Sequence, residues 1–171
     1  MRGTSDITRV LPGILLLKCC IMAKKLKLDI EYTPDFRLIG IFSPQKDYRL
    51  CWMLNNQLKT DLRRIPDFIY RPFKKAEASS FAVYNYDSGT LRTRYLLLSN
   101  RASGGLLLPD PKNLDFLFLI RKPDTGRDIE HVLNHIRKLS AVQAAYLLDE
   151  SITARTKEVL YDFEVYLNEV L

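Results

Sequence analysis

The sequence predicts an α+β fold: one domain, with a mixed, mainly antiparallel sheet packed against three helices. Three observations carry this expectation. Stretches of period-two alternation recur along the chain, and other windows repeat their apolar residues at 3- and 4-residue spacing. The segment 115–148 reads strand–helix–strand, the pattern of a ferredoxin-like half. At 171 residues, 47% hydrophobic and 27% charged, the chain is long enough to bury a core without disulfides or a structural metal. No apolar run approaches the roughly 18–20 residues of a membrane-spanning helix, so no membrane partner is expected.

The elements follow in order. From Lys24 the chain alternates, with Leu26, Leu28, Ile30 and Tyr32 on one side of a strand. Thr33, Pro34 and Asp35 are turn residues, and the apolar stretch 36–42 is expected to pair back as a hairpin. Gly40 inside it marks a bulge or a close backbone approach. Ser43 and Pro44 read as N-cap and first helical residue of a helix over 44–59. Tyr48, Cys51, Trp52, Asn55 and Leu58 would form its packed stripe. An asparagine in that stripe is either a ligand-contacting amide or a tie to a neighbouring loop backbone, and the second is favoured because buried polar groups are usually satisfied structurally.

Residues 67–73 read as an edge strand, since Pro66 and Pro72 each remove a ladder donor. A hairpin joins 81–86 to 91–99 around Asp87, Ser88, Gly89 and Thr90. Residues 100–105 read as a polar loop and 106–108 as a short apolar step into Pro109. A mostly apolar, central strand is expected over 115–121, a helix over 126–139 burying Ile129, Val132, Leu133 and Ile136, a strand over 142–148, and an acidic helix over 150–170. No internal repeat or interdomain linker interrupts this order.

Cys19, Cys20 and Cys51 give neither a disulfide framework nor a CxxC pair, which points to a reducing, cytoplasmic home. The run VLPGILLL (10–17) has a faint secretory character, but Asp6, Pro12, Gly13 and Lys18 all weaken it. Met22 opens a strand pattern at once. Residues 1–22 are therefore expected to be a disordered or mis-assigned extension, with a start at Met22, and 23–171 to form the domain.

The segment 108–116, LPDPKNLDF, resembles the motif that names the IPExxxVDY family of bacterial proteins, typical of the Bacteroidetes. Pro109 and Asp115 match; Leu108, Asp110, Leu114 and Phe116 are conservative replacements. LKLDIEY (26–32), LIGIFSPQKDYRLCWMLN (38–55) and YLLLSN (95–100) are similar to the same family, so the resemblance spans about 24–150 and omits the first 22 residues. It implies no assigned activity, ligand or catalytic residue. Physically, Pro109 and Pro111 stiffen the approach to the strand, and Asp115 at its start is expected to accept backbone N–H groups from the preceding turn, as a structural staple rather than a catalytic acid. The tyrosine of the family motif is Phe116 here, so no mechanism can rest on its hydroxyl.

Few residues offer chemistry. His131 and His135, at i and i+4, share a helical face as a metal pair would, yet that face lies nearly opposite the apolar stripe, so a solvated pair and no metal site are expected. No GxSxG, GxGxxG or P-loop spacing occurs, and Gly104–Gly105 lacks the following Lys-Ser/Thr. Cys51 reads as an ordinary buried thiol. Asp110 and Asp115 could pair as acid and base only if their surroundings split their pKa values. No catalytic residue, cofactor or enzyme signature emerges. An enzyme would need a pocket joining Asn55, Asn100 and Asp115.

Charge suggests partners instead. The chain carries +6, of which residues 1–22 supply three basic and one acidic side chain. Residues 59–75 hold six basic and two acidic side chains; 149–171 hold six acidic and two basic. Such a dipolar protein is expected to be a non-enzymatic interaction or structural module, meeting another protein or its own copy through complementary faces. The alternative is an RNA or single-stranded nucleic-acid binder, in which Phe68, Tyr70 and Phe73 stack bases between the cations of 59–75.

Overall fold

The computed structural model describes residues 35–71, 77–89, 93–109, 114–121, 126–148 and 153–171, all within the compact unit Tyr32–Leu171. The expectations for residues 1–22, for strand 26–32, and for Phe73 and Asp110 lie outside them. The described elements are β1 (Phe36–Phe42), α1 (Asp47–Leu58), β2 (Arg63–Tyr70), β3 (Ser79–Asp87), β4 (Arg94–Ser99), β5 (Arg101–Ala102), β6 (Gly105–Leu106), β7 (Phe116–Arg121), α2 (Gly126–Arg137), β8 (Ala144–Leu147) and α3 (Ala154–Val170). This is the expected α+β domain.

Among the described residues, one six-stranded sheet runs β2-β3-β4-β7-β1-β8, and every neighbouring pair in it is antiparallel. β7 and β8 are therefore parallel to each other with β1 between them, so the strand–helix–strand over 115–148 is a split βαβ unit. β1 sits between two partners from late in the chain: β7 runs along one edge and β8 along the other, and Leu148 N–H donates to Leu38 O at 2.8 Å. The mostly apolar β1 and β7 suit this central position, since both faces of the sheet are covered there.

Alternation sorts the side chains into two cores. On one face Leu38, Phe68, Phe81, Leu96, Leu98, Leu117 and Leu119 pack under Val159, Leu160, Phe163 and Leu167 of α3. On the other, Ile39, Ile41, Leu97, Phe118 and Ile120 meet Leu50, Cys51 and Leu54 of α1 and Ile129, Val132, Leu133 and Ile136 of α2. The α2 stripe is the one the sequence predicts. The α1 stripe is so only in part: Cys51 and Leu58 pack inward as expected. Tyr48 and Trp52 face outward, because Leu50, Cys51, Leu54 and Leu58 define a second apolar arc that the sheet selects.

Further corrections are local. α1 starts at Asp47 with Lys46 at its N-cap, and Ser43 caps nothing. Its hydroxyl donates to Ala141 O at 2.8 Å and accepts the Gln45 N–H at 3.3 Å, a long-range tie that outcompetes capping. The edge strand begins at Arg63, earlier than expected, and Pro66 sits in its register shift between Ile65 and Phe68. The expected loop from 100 onward holds the two-residue strands β5 and β6, joined by a tight turn at Ser103–Gly104. Gly40 is the close approach: a Cβ there would lie 2.5 Å from Leu114 Cδ2.

Candidate functional site

The Asp115 corner is where chain-distant segments converge. Asp115 precedes β7, and its backbone N–H donates to Ile41 O at 3.1 Å. Among the described residues, its carboxylate reaches segments distant in the chain. Oδ2 accepts the Ser43 N–H at 2.9 Å from the end of β1, and Oδ1 accepts Nε–H of Arg101. The carboxylate thus stitches β1, β5 and β7 together, with both oxygens engaged.

Asn100, fully buried, completes the corner. Nδ2 donates to Leu108 O at 3.0 Å and to Leu114 O at 2.9 Å, while Oδ1 accepts the Leu108 N–H at 2.7 Å. Its own N–H and C=O bond Asp115 O and Leu107 N–H, each at 2.9 Å. Burying an amide costs about 1–3 kcal/mol for each unsatisfied group, and here the side chain satisfies three backbone groups of the connection leading to β7.

Beside the corner lies an open cavity of about 410 Å³, bounded by the start of α1, by β2 and β3, and by Arg101 and Asp115. Most of its ionic groups are paired. Arg64 contacts Asp47 Oδ2 at 2.9 Å and Asp67 Oδ1 at 2.7 Å, and its guanidinium stacks over the Tyr84 ring. The Asp67 hydrogen bond raises the Arg64 pKa further. For Asp67 burial acts upward, yet hydrogen bonds from Ser80 and Arg64 outweigh it and hold the carboxyl below the usual range. Tyr84, which donates to Asp47 at 3.1 Å, is pushed up to about 12, chiefly by burial. Three cations and three carboxylates balance across the lining, with Lys46, Arg64 and Arg101 set against Asp47, Asp67 and Asp115.

Of the three residues that an enzyme reading would join, Asp115 lines this cavity and Asn55 and Asn100 do not. Asn55 ties the loop after α1: Oδ1 accepts Leu62 N–H at 2.8 Å and Thr60 Oγ1–H at 3.0 Å, and Nδ2 donates to Leu62 O at 3.1 Å. These bonds hold Lys59 in the left-handed region at φ 56°. Cys51 is packed beneath, its thiol 3.5 Å from Leu62 O and pushed up to about 12 by burial, then by Asp47 and Asp61.

The histidines differ from one another. His131 is exposed as expected, whereas His135 is half-buried against α1, with Nδ1 3.1 Å from Gln57 Nε2. Burial first, then His131 and Lys138, lowers the His135 pKa. The base-stacking platform is also altered. Phe68 and Tyr70 belong to the α3-side core, with Phe68 edge-on to Phe163 at 5.2 Å between centroids.

Sequence reading missed the outer face of α1. Trp52 and Tyr48 are 67% and 61% exposed at i and i+4, flanked by exposed Lys46, Arg49 and Lys59. The signal was present as two apolar arcs on one helix, only one of which a single sheet can cover. Among the described residues, no helix is long and apolar enough to cross a membrane. No protein-family model, curated protein or solved structure matches the chain.

Proposed function

We propose that this chain is a non-enzymatic, cytoplasmic protein-interaction module of the IPExxxVDY type, whose contact surface is the outer face of α1. The observation that carries this reading is the exposed Tyr48–Trp52 pair. Tryptophan, tyrosine and arginine dominate interface energetics when desolvated, and an exposed aromatic pair ringed by cations has that composition.

The occupant we assign is the outer face of α3 on a second copy. That face carries exposed Tyr161 and Val165 among exposed Glu158, Asp162 and Glu169, complementary in sign to Lys46, Arg49 and Lys59. The basic partner is thus α1 rather than all of 59–75, because Arg63 and Arg64 are engaged by Asp61, Asp47 and Asp67. α1 and α3 cover opposite faces of the sheet, so the contact is heterologous, running head to tail from copy to copy. The nucleic-acid alternative keeps the cations of 59–75 but loses Phe68 and Tyr70 as stacking surfaces.

Trp52 is the only tryptophan and reports the contact directly. Mass by light scattering should rise with concentration at low salt and fall as salt is added, with a blue shift of Trp52 emission accompanying assembly. Trp52→Ala and the pair Lys46→Glu/Arg49→Glu should remain monomeric. A monomer at every concentration, with unshifted emission, overturns the assignment; salt-sensitive quenching of Trp52 by single-stranded RNA instead transfers the surface to nucleic acid.

A further inference from the structure

His131 and His135 bring their Nε2 atoms to 3.1 Å, with ring centroids 4.2 Å apart. They line a cavity of about 250 Å³ where α1 meets α2, together with Gln57, Lys59, Thr60 and Tyr95. A shared i, i+4 face places two imidazoles near each other, but does not by itself turn the same nitrogen of each toward a common point. Here the convergence is specific, and Gln57 on a different helix braces one of the rings through its remote nitrogen.

With imidazole–metal bonds of about 2.0–2.1 Å, a 3.1 Å separation of donors subtends about 95–102° at a shared ion. That lies between the right angle of adjacent square-planar or octahedral positions and the tetrahedral angle. We propose that His131 and His135 form a two-imidazole site for a divalent first-row transition metal, whose remaining positions are held by water. For both Nε2 lone pairs to face the ion, His135 must carry its proton on Nδ1. Gln57 accepts that proton through Oε1 once its amide is turned by 180°, an exchange of O and N that leaves the heavy-atom positions in place.

Among the described residues, no group of three His, Cys, Asp or Glu surrounds the pair, so the site offers two protein ligands and an exchangeable remainder. Lys59 in the cavity wall and Lys138 near His135 oppose a cation, which limits affinity. Imidazole donors favour nickel, copper and zinc over magnesium or calcium, and within that set affinity rises from nickel to copper.

The test is titration calorimetry of the untagged full chain with Ni²⁺ and with Zn²⁺, paired with imidazole NMR signals. One equivalent should bind and shift the Nε2 resonances of both histidines, and Mg²⁺ should not substitute. His131→Ala and His135→Ala, each checked for an unchanged circular dichroism spectrum, should weaken that equivalent at least about tenfold; Gln57→Ala should weaken it about tenfold while leaving both histidines in place. Retention of the same stoichiometry and affinity in either histidine variant overturns the site, because the metal then sits elsewhere, on the cysteines for example. Binding lost in His131→Ala but not in His135→Ala overturns it equally.

Discussion

Asn100 brackets Leu108 from both sides, its Oδ1 2.7 Å from the Leu108 N–H donor and its Nδ2 3.0 Å from the Leu108 carbonyl, so one side chain imitates a strand partner for a residue outside the described strands. Asn100→Ala should destabilise the fold by about 2–4 kcal/mol, because Leu108 N–H, Leu108 O and Leu114 O would be buried without partners. Asn100→Asp should cost as much, since a carboxylate cannot donate to two carbonyls. Urea unfolding measures both. A loss under about 0.5 kcal/mol for Asn100→Ala would show that water replaces the amide.

Gly40 and Leu114 compete for one volume. Gly40→Ala should cost about 1–3 kcal/mol through overpacking against Leu114, whose own burial prevents it from moving aside freely. Leu114→Ala alone should cost about 2–5 kcal/mol by leaving a cavity. The double variant should be more stable than the sum of the two losses predicts, and a double-mutant cycle that adds without coupling contradicts the contact.

Cys51 should be slow to alkylate in the native protein. A thiol near pKa 12 is about one part in ten thousand thiolate at pH 8, and packing under Leu62 limits access as well. Iodoacetamide labelling followed by peptide mass spectrometry distinguishes it from Cys19 and Cys20. Labelling of Cys51 should wait on unfolding and accelerate in urea; equal rates with and without urea would contradict its burial.

Asp67 makes stability depend on acid. Its folded pKa lies below the ordinary carboxylate value, so its contribution is fully present above the unfolded pKa and is lost as pH falls through the folded one. About one third of its side chain is exposed, so solvent screening keeps the contribution to about 0–1 kcal/mol. Asp67→Asn should therefore be less stable than the parent at neutral pH, and the gap should narrow below about pH 4. A gap that stays constant down to pH 2 would exclude ionisation as its source.

What the sequence made legible was local pattern. The turn-bounded strands β3 and β4, the apolar run of β7 and the stripe of α2 each identify themselves within a dozen residues. The misreadings share one cause, a partner distant in sequence. Ser43 has the side chain and the neighbour of an N-cap, yet Ala141 and Asp115 claim its hydroxyl and its N–H. Tyr48 and Trp52 outweigh Leu50 and Leu54 by size, but the concave space under α1 is shaped by Ile39, Ile41 and Phe118 and admits the smaller set. Asp115 was legible as a staple, but its anchoring points were not, since nothing local ties it to Ser43 or Arg101.

The insertion of β1 between β7 and β8 has a kinetic corollary. A ribosome delivers β1 long before either of its neighbours, and at about 5–20 residues per second the interval from Phe42 to Leu147 lasts about 5–20 s. During that wait a hydrophobic ribbon has no groove to enter. Emergence of β8 ends the delay, and the last-made strands of the sheet close over the first.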